Sequence, residues 1–111
     1  MTTISWQDFE SVDIRTGTII DVQDFPEIKN PSYKIWVDFG PELGVKKTSA
    51  QLTKIYSQEE LLWKQILWVV NFPPKQIGKF KSEFLITWVY TKEWVVLSGL
   101  ERRVENGLKL L

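Results

Sequence analysis

The sequence predicts an all-β fold, a five-stranded Greek-key barrel with short helices and an extension at each end. Three observations predict it. Apolar and polar residues alternate at a period of two through several segments rich in Val, Ile, Thr, Tyr and Trp, as half-buried strands do. Proline and glycine separate those segments. The one internal helix signal, Ser57-Gln58-Glu59-Glu60, falls between the third and fourth of them. Three strands, a helix and two more strands is the order of an OB-fold. A small β-sandwich is the rival, and it would not place its only internal helix there.

Each element has a local reason. Ser5-Trp6-Gln7-Asp8 opens a short helix, with Ser5 as N-cap and Asp8 at the third helical position. The period changes at Val12-Asp13-Ile14-Arg15, so that helix is short. From Ile14 the first strand alternates, with Thr16, Thr18, Ile20 and Val22 on one side. Gly17 within it suggests a bend or bulge, and Phe25-Pro26 ends it. In the second strand Tyr33, Ile35, Val37 and Phe39 face one way and Lys34, Trp36 and Asp38 the other. Gly40 to Gly44 is a turn, and Val45 to Ser49 is a short third strand. The internal helix runs through Leu61, Leu62 and Trp63. Gln65 to Phe72 is the fourth strand and Glu83 to Thr91 the fifth. Thr91-Lys92-Glu93 turns into Trp94 to Leu97, and Asn106-Gly107 is a further turn.

Composition bounds the function. A chain of 111 residues with six Trp, six Phe and three Tyr can fill one core, so residues 1–111 read as a single domain. There is no Cys, which excludes disulfides, thiolate metal sites and thiol nucleophiles. There is no His, which removes the commonest general base and metal ligand. Asp13 and Asp38 could form a carboxylate pair, but no nucleophile, glycine-rich phosphate loop or metal spacing accompanies them. An enzyme is therefore not expected, nor a cofactor. No signal peptide, lipidation motif or bilayer-length apolar run is present, so the expectation is a soluble cytoplasmic protein without membrane insertion.

Formal net charge is zero, yet it is uneven. Residues 1–28 hold six acids and one base, while residues 29–81 hold nine lysines and four acids. Folding can gather the second block into a basic face suited to nucleic acid, or can neutralise it against the first. The stretch Trp68 to Glu83 concentrates the question. An apolar run ends at Asn71, Phe72-Pro73-Pro74 forbids ordinary pairing, and three lysines (Lys75, Lys79, Lys81) then surround Gly78. This reads as a stiff turn carrying a small basic loop on a rigid scaffold, where binding function usually sits, or as a solvated connection.

Five motifs in order resemble a known family. They are Asp13-Ile14-Arg15-Thr16-Gly17-Thr18-Ile19, Val37-Asp38-Phe39-Gly40, Ser49-Ala50-Gln51-Leu52-Thr53, the paired segments Val70 to Lys75 and Gly78 to Glu83, and Asn106-Gly107. Together they are similar to the EMAP-type tRNA-binding domain family, and within it to the CsaA-type secretion chaperones. Members that act with methionyl-tRNA synthetase carry a His-Pro segment where this chain has Phe25-Pro26-Glu27. That segment, the triplet Ser49-Ala50-Gln51, and Leu85 in place of a Met all look like the CsaA type. The resemblance implies a non-catalytic OB-fold homodimer joined by its terminal segments. Some members bind structured tRNA, and the CsaA type is described as binding unfolded export-bound polypeptides. Thr87 to Trp94 is shorter and more aromatic than the family pattern, and Ser98 to Arg103 replaces a Pro-Asp-Arg segment.

The candidate binding residues follow from the OB groove, where a basic track and aromatic platforms hold single strands. The cations are Lys34, Lys46, Lys47, Lys75, Lys79 and Lys81. Trp36 shares a strand face with Lys34, which suits a base beside a phosphate if that face is outward and makes Trp36 core if it is inward. Asn71 either bonds its own turn or donates to ligand. Ser49, Gln51, Ser82 and Leu85 sit at strand ends beside the same groove. Trp6, Trp63, Trp68, Trp88 and Trp94 read as core or dimer interface, and Arg15 as an ion pair. The leading expectation is a homodimer that binds tRNA or similar structured RNA. The alternative is an export chaperone that binds unfolded polypeptides.

Overall fold

A computed structural model describes residues 1–111. Helix α1 (Trp6–Glu10) is followed by strands β1 (Ile14–Asp24) and β2 (Tyr33–Asp38), the one-turn helix α2 (Gly40–Leu43), β3 (Val45–Ala50) and helix α3 (Gln58–Leu61). Then come β4 (Gln65–Val69), β5 (Lys75–Ile77), β6 (Phe80–Ser82), β7 (Leu85–Ile86), β8 (Trp88–Tyr90) and β9 (Val95–Leu97). A five-stranded sheet runs β3-β2-β1-β4-β7, all antiparallel. It curls into a nearly closed barrel. Glu83 N donates to Lys47 O at 2.9 Å and Thr48 Oγ1 donates to Phe84 O at 2.8 Å, which brings the chain entering β7 against β3. This is the OB architecture, with α3 between β3 and β4.

Both caps form. In α1 the Ser5 hydroxyl accepts from Asp8 N while Asp8 accepts from Ser5 N, and Ser57 and Glu60 repeat the exchange in α3. The helices are shorter than the sequence suggests; α3 stops at Leu61, and Trp63 turns into the left-handed region at φ 73°. Trp63 and Trp6 are each 60% exposed, so neither is core.

The core is built on β2 and the residue that follows it: Tyr33, Ile35, Val37 and Phe39 are all buried. Phe39, Trp68 and Phe84 meet edge-on in a triangle with centroids 5.0 to 6.3 Å apart. Each such contact contributes roughly 0.5–1.5 kcal/mol beyond area burial. Trp68 is fully buried and donates Nε1–H to Gly17 O at 3.0 Å, so its one polar atom is satisfied.

In β1 the expected alternation breaks. A bulge between Ile19 and Asp21 shifts register against β2, so Ile19 and Val22 both face the core, while Ile20 is only half-buried. Gly17 lies before the bulge and has a different reason: a Cβ there would meet Val37 Cγ1 at 2.6 Å. Thr16 and Thr18 are buried on the outer face, under the segment that follows Val104. Thr16 Oγ1 donates to Glu105 O and Thr18 Oγ1 to Asn106 Oδ1. That segment runs along the half of β1 that β2 has left: Gly107 N donates to Thr16 O, Thr16 N to Leu108 O and Leu110 N to Ile14 O.

Two strand assignments differ from expectation. The fourth strand ends at Val69, not Phe72. The fifth is split at Thr87, whose hydroxyl donates to Leu67 O at 2.8 Å; β7 pairs with β4 and β8 with β9.

Candidate ligand-binding groove

The stretch Lys75 to Ser82 is a β-hairpin and not a loop. Lys75 pairs with Ser82, Gln76 with Lys81 and Ile77 with Phe80. Gly78, at φ 60°, takes the first of two turn positions, where a II′ hairpin demands glycine. Partners across a ladder share a face. Lys75, Ile77, Phe80 and Ser82 therefore face one way and Gln76 and Lys81 the other, with Lys79 at the tip. The three lysines do not form one surface.

Phe80 seats this hairpin on the outer face of β2 and β3. It is buried, with Phe25 at 5.3 Å and Trp36 at 6.2 Å between ring centroids. The ammonium groups of Lys34 and Lys47 lie over its ring at 5.6 and 5.1 Å. Lys34 also lies over Phe25 at 4.9 Å and 3.7 Å from Glu27. Trp36 is thus outward but half-buried under the hairpin, and neither alternative for it holds in full. Lys46 does not share this face. It pairs with Val37, which points inward, whereas Lys47 pairs with Trp36. The period of two separates neighbouring residues.

Asn71 bonds neither its own turn nor the groove. Its Oδ1 accepts from Asp13 N at 3.0 Å and its Nδ2 donates to Ser11 O at 2.7 Å, tying the end of β4 to the junction of α1 and β1. Arg15 pairs with Asp13 at 2.7 Å and donates to Gly107 O at 3.0 Å, the structural role expected of it. The Asp13 interaction holds its guanidinium above the ordinary pKa.

The main groove, about 540 Å³, lies between the end of β3, the hairpin and β7–β8. It brings together five of the candidate residues, Ser49, Gln51, Lys75, Ser82 and Leu85, and leaves out Lys34, Trp36, Lys46, Lys47, Asn71, Lys79 and Lys81. Ser49 and Ser82 also brace the wall, with hydroxyls 3.0 Å apart. Most of the lining was not anticipated: Ile28, Phe72, Pro73, Ile77, Phe84, Ile86, Trp88, Tyr90 and Trp94. Trp94 is fixed by its Nε1–H to Gln51 O at 2.7 Å. Tyr90 packs edge-on between Trp88 and Trp94 at 6.3 and 6.0 Å and stays 73% exposed. The unusual aromatic density of residues 88–94 was the available signal. Lys75 is the one charged residue in the lining. Such a groove can desolvate apolar side chains and orient backbone with a few polar groups, but it offers phosphate a single cation.

No helix is long and apolar enough to cross a membrane. Residues 14–109 match the family model described as "Putative tRNA binding domain". Two solved structures are similar over the whole chain. The CsaA chaperone protein from Picrophilus torridus is 43% identical, with 98% of this chain and 100% of that chain covered and a TM-score of 0.93. The chaperone CsaA from Bacillus anthracis strain Ames is 40% identical, with 99% and 100% covered and a TM-score of 0.91. The methionine–tRNA ligase of Pyrococcus horikoshii is 34% identical over 107 residues, which is 96% of this chain and 14% of the ligase. This chain therefore spans about a seventh of such relatives, and the likeness to them lies in that one part.

Proposed function

The chain belongs to the tRNA-binding domain family, and we propose that it is a non-catalytic binding protein whose groove takes extended, largely uncharged stretches of unfolded polypeptide. The observation that carries this reading is the lining: aromatic and aliphatic walls with small polar groups and Lys75 alone for charge. A polypeptide segment with large apolar side chains gains desolvation there at about 25 cal/mol per Å² of apolar surface buried. The likeness to two CsaA chaperones at 43% and 40% identity supports the same ligand class.

A second reading keeps RNA as the ligand. The family description and the lysines of the β5–β6 hairpin favour it. The two separate by salt. The experiment measures affinity for bulk tRNA and for a permanently unfolded polypeptide at two salt concentrations. The peptide reading expects polypeptide binding that changes little between them. Phosphate contacts release counterions and weaken steeply with salt. Salt-sensitive tRNA binding without polypeptide binding would overturn the first reading in favour of the second.

We also propose a homodimer. Ile4 and Trp6 on one segment and Leu108, Leu110 and Leu111 on another are exposed. Lys109 Nζ donates to Glu10 O at 3.3 Å, so the two segments adjoin. Exposed apolar side chains gathered at one place mark an interaction surface, and a two-fold pairing would bury both sets.

A further inference from the structure

One wall of the groove is an unfinished sheet. Strand β8 belongs to a two-stranded ribbon whose other member is β9. Its ladder is anchored at both ends: Thr91 N donates to Trp94 O at 2.7 Å and Ser98 N donates to Thr87 O at 3.1 Å. Hydrogen-bonded pairs alternate along an antiparallel ladder. Val89 therefore exchanges bonds with Val96, and the N–H and C=O groups of Trp88 and Tyr90 point to the opposite edge. No backbone bond from outside the ribbon reaches either residue. Both line the groove.

Proteins blunt such edges with lysine, proline or a bulge, because an open edge recruits other chains. The sequence Trp88-Val89-Tyr90 has none of these, and Val89 and Tyr90 are exposed. Two donors and two acceptors without a backbone partner, spaced for a strand, thus run along the edge of β8, beside a groove that Trp88 and Tyr90 line and whose lining fits alternate large apolar side chains. Charge selects the occupant. With Lys75 as the only charged lining residue, an uncharged peptide brings no charge that the walls must pair, while a phosphate chain would find one cation.

We propose that the ligand is held as an added β-strand on β8, its backbone bonding Trp88 and Tyr90 and its alternate side chains entering the groove. This rests on the polypeptide reading above and specifies how that ligand is recognised. Sequence tolerance follows, since main-chain bonds supply part of the affinity whatever the side chains are.

The test is amide hydrogen exchange by NMR on the full chain, with a ten-residue peptide alternating Leu or Phe with Ser. On binding, the Trp88 and Tyr90 amides should slow by at least about tenfold, while Val89, already bonded, should change little. The same peptide N-methylated at one alternate set of positions, and then at the other, should lose at least about tenfold in affinity for one set or both. Peptide binding with the two amides unchanged, or with both methylated peptides binding as well as the parent, would overturn the strand mode and leave the polypeptide reading standing. Failure of the parent peptide to bind the folded protein would overturn the polypeptide reading itself. Trp88 and Tyr90 amides already slow in the free protein, and speeding on dilution, would assign the edge to a second copy of the chain and overturn the proposal.

Discussion

A Cβ at Gly17 would stand 2.6 Å from Val37 Cγ1 and 2.8 Å from the Phe39 ring, both fully packed. Gly17→Ala should therefore destabilise the fold by about 1–3 kcal/mol, read as a lowered urea midpoint with unchanged slope. Tyr33 is a second exacting position. It is buried, and its hydroxyl donates to Tyr56 O at 2.8 Å. Burial first, then the nearby charges of Asp24, Glu59 and Glu60, raise its pKa above the ordinary phenol value of 10. A raised folded-state pKa means that the contribution is complete below the unfolded value and is lost as pH rises through the folded one. Tyr33→Phe should cost about 1 kcal/mol at pH 7, and the gap from the parent should narrow above about pH 10. A gap that stays constant from neutral to strongly alkaline pH would refute that account. At this scale the sequence was legible where one period governed: Tyr33, Ile35, Val37 and Phe39 share one face as read, and that face, which the sequence left undecided, is the core. It was illegible at Asn71 and Gly17, whose roles depend on partners more than fifty and about twenty residues away.

The β5–β6 hairpin shows what element-level reading misses. A short pair of strands, three residues each, has no periodicity to detect, and its Pro-Pro entry and three lysines look like a loop. Phe80 was the overlooked signal, an apolar residue among lysines. Phe80→Ala should cost about 3 kcal/mol and detach the hairpin, seen as lost amide protection confined to residues 75–82. The lysines test the RNA reading separately. Replacing Lys75, Lys79 and Lys81 together by Ala removes at most three phosphate contacts, so the slope of log tRNA affinity against log salt should fall by up to roughly 2–3 units. Stability should hardly move, since exposed charges contribute little to it. An unaltered slope in the folded variant would place any RNA site elsewhere.

On the scale of the whole molecule, the barrel was legible because three strands, a helix and two more strands is the order of an OB-fold. The groove was not. Its walls come from residues scattered within 28–32, 48–51, 72–77 and 82–94, and only tertiary structure joins them. The trend toward aromatics after Thr87 was visible, yet nothing local distinguishes an interior tryptophan from one lining a groove. Assembly is tested at the same scale. The unmodified chain should sediment as a dimer at micromolar concentration. Trp6→Ser combined with Leu108→Ser and Leu110→Ser should yield a folded monomer. A monomeric parent would refute the proposed pairing.

The first half of β1 receives its second row of partners from residues 105–110, and the Thr16 and Thr18 hydroxyls find their acceptors only there. During synthesis, that strand emerges long before its cover. At roughly 5–20 residues per second the interval between Thr16 and Leu108 is about 5–18 seconds. Throughout it, the amides of this half of β1 and the two hydroxyls have only water as partner. The growing chain is for that time itself an unfolded client, exposed to the same kind of binding protein that it is proposed to become.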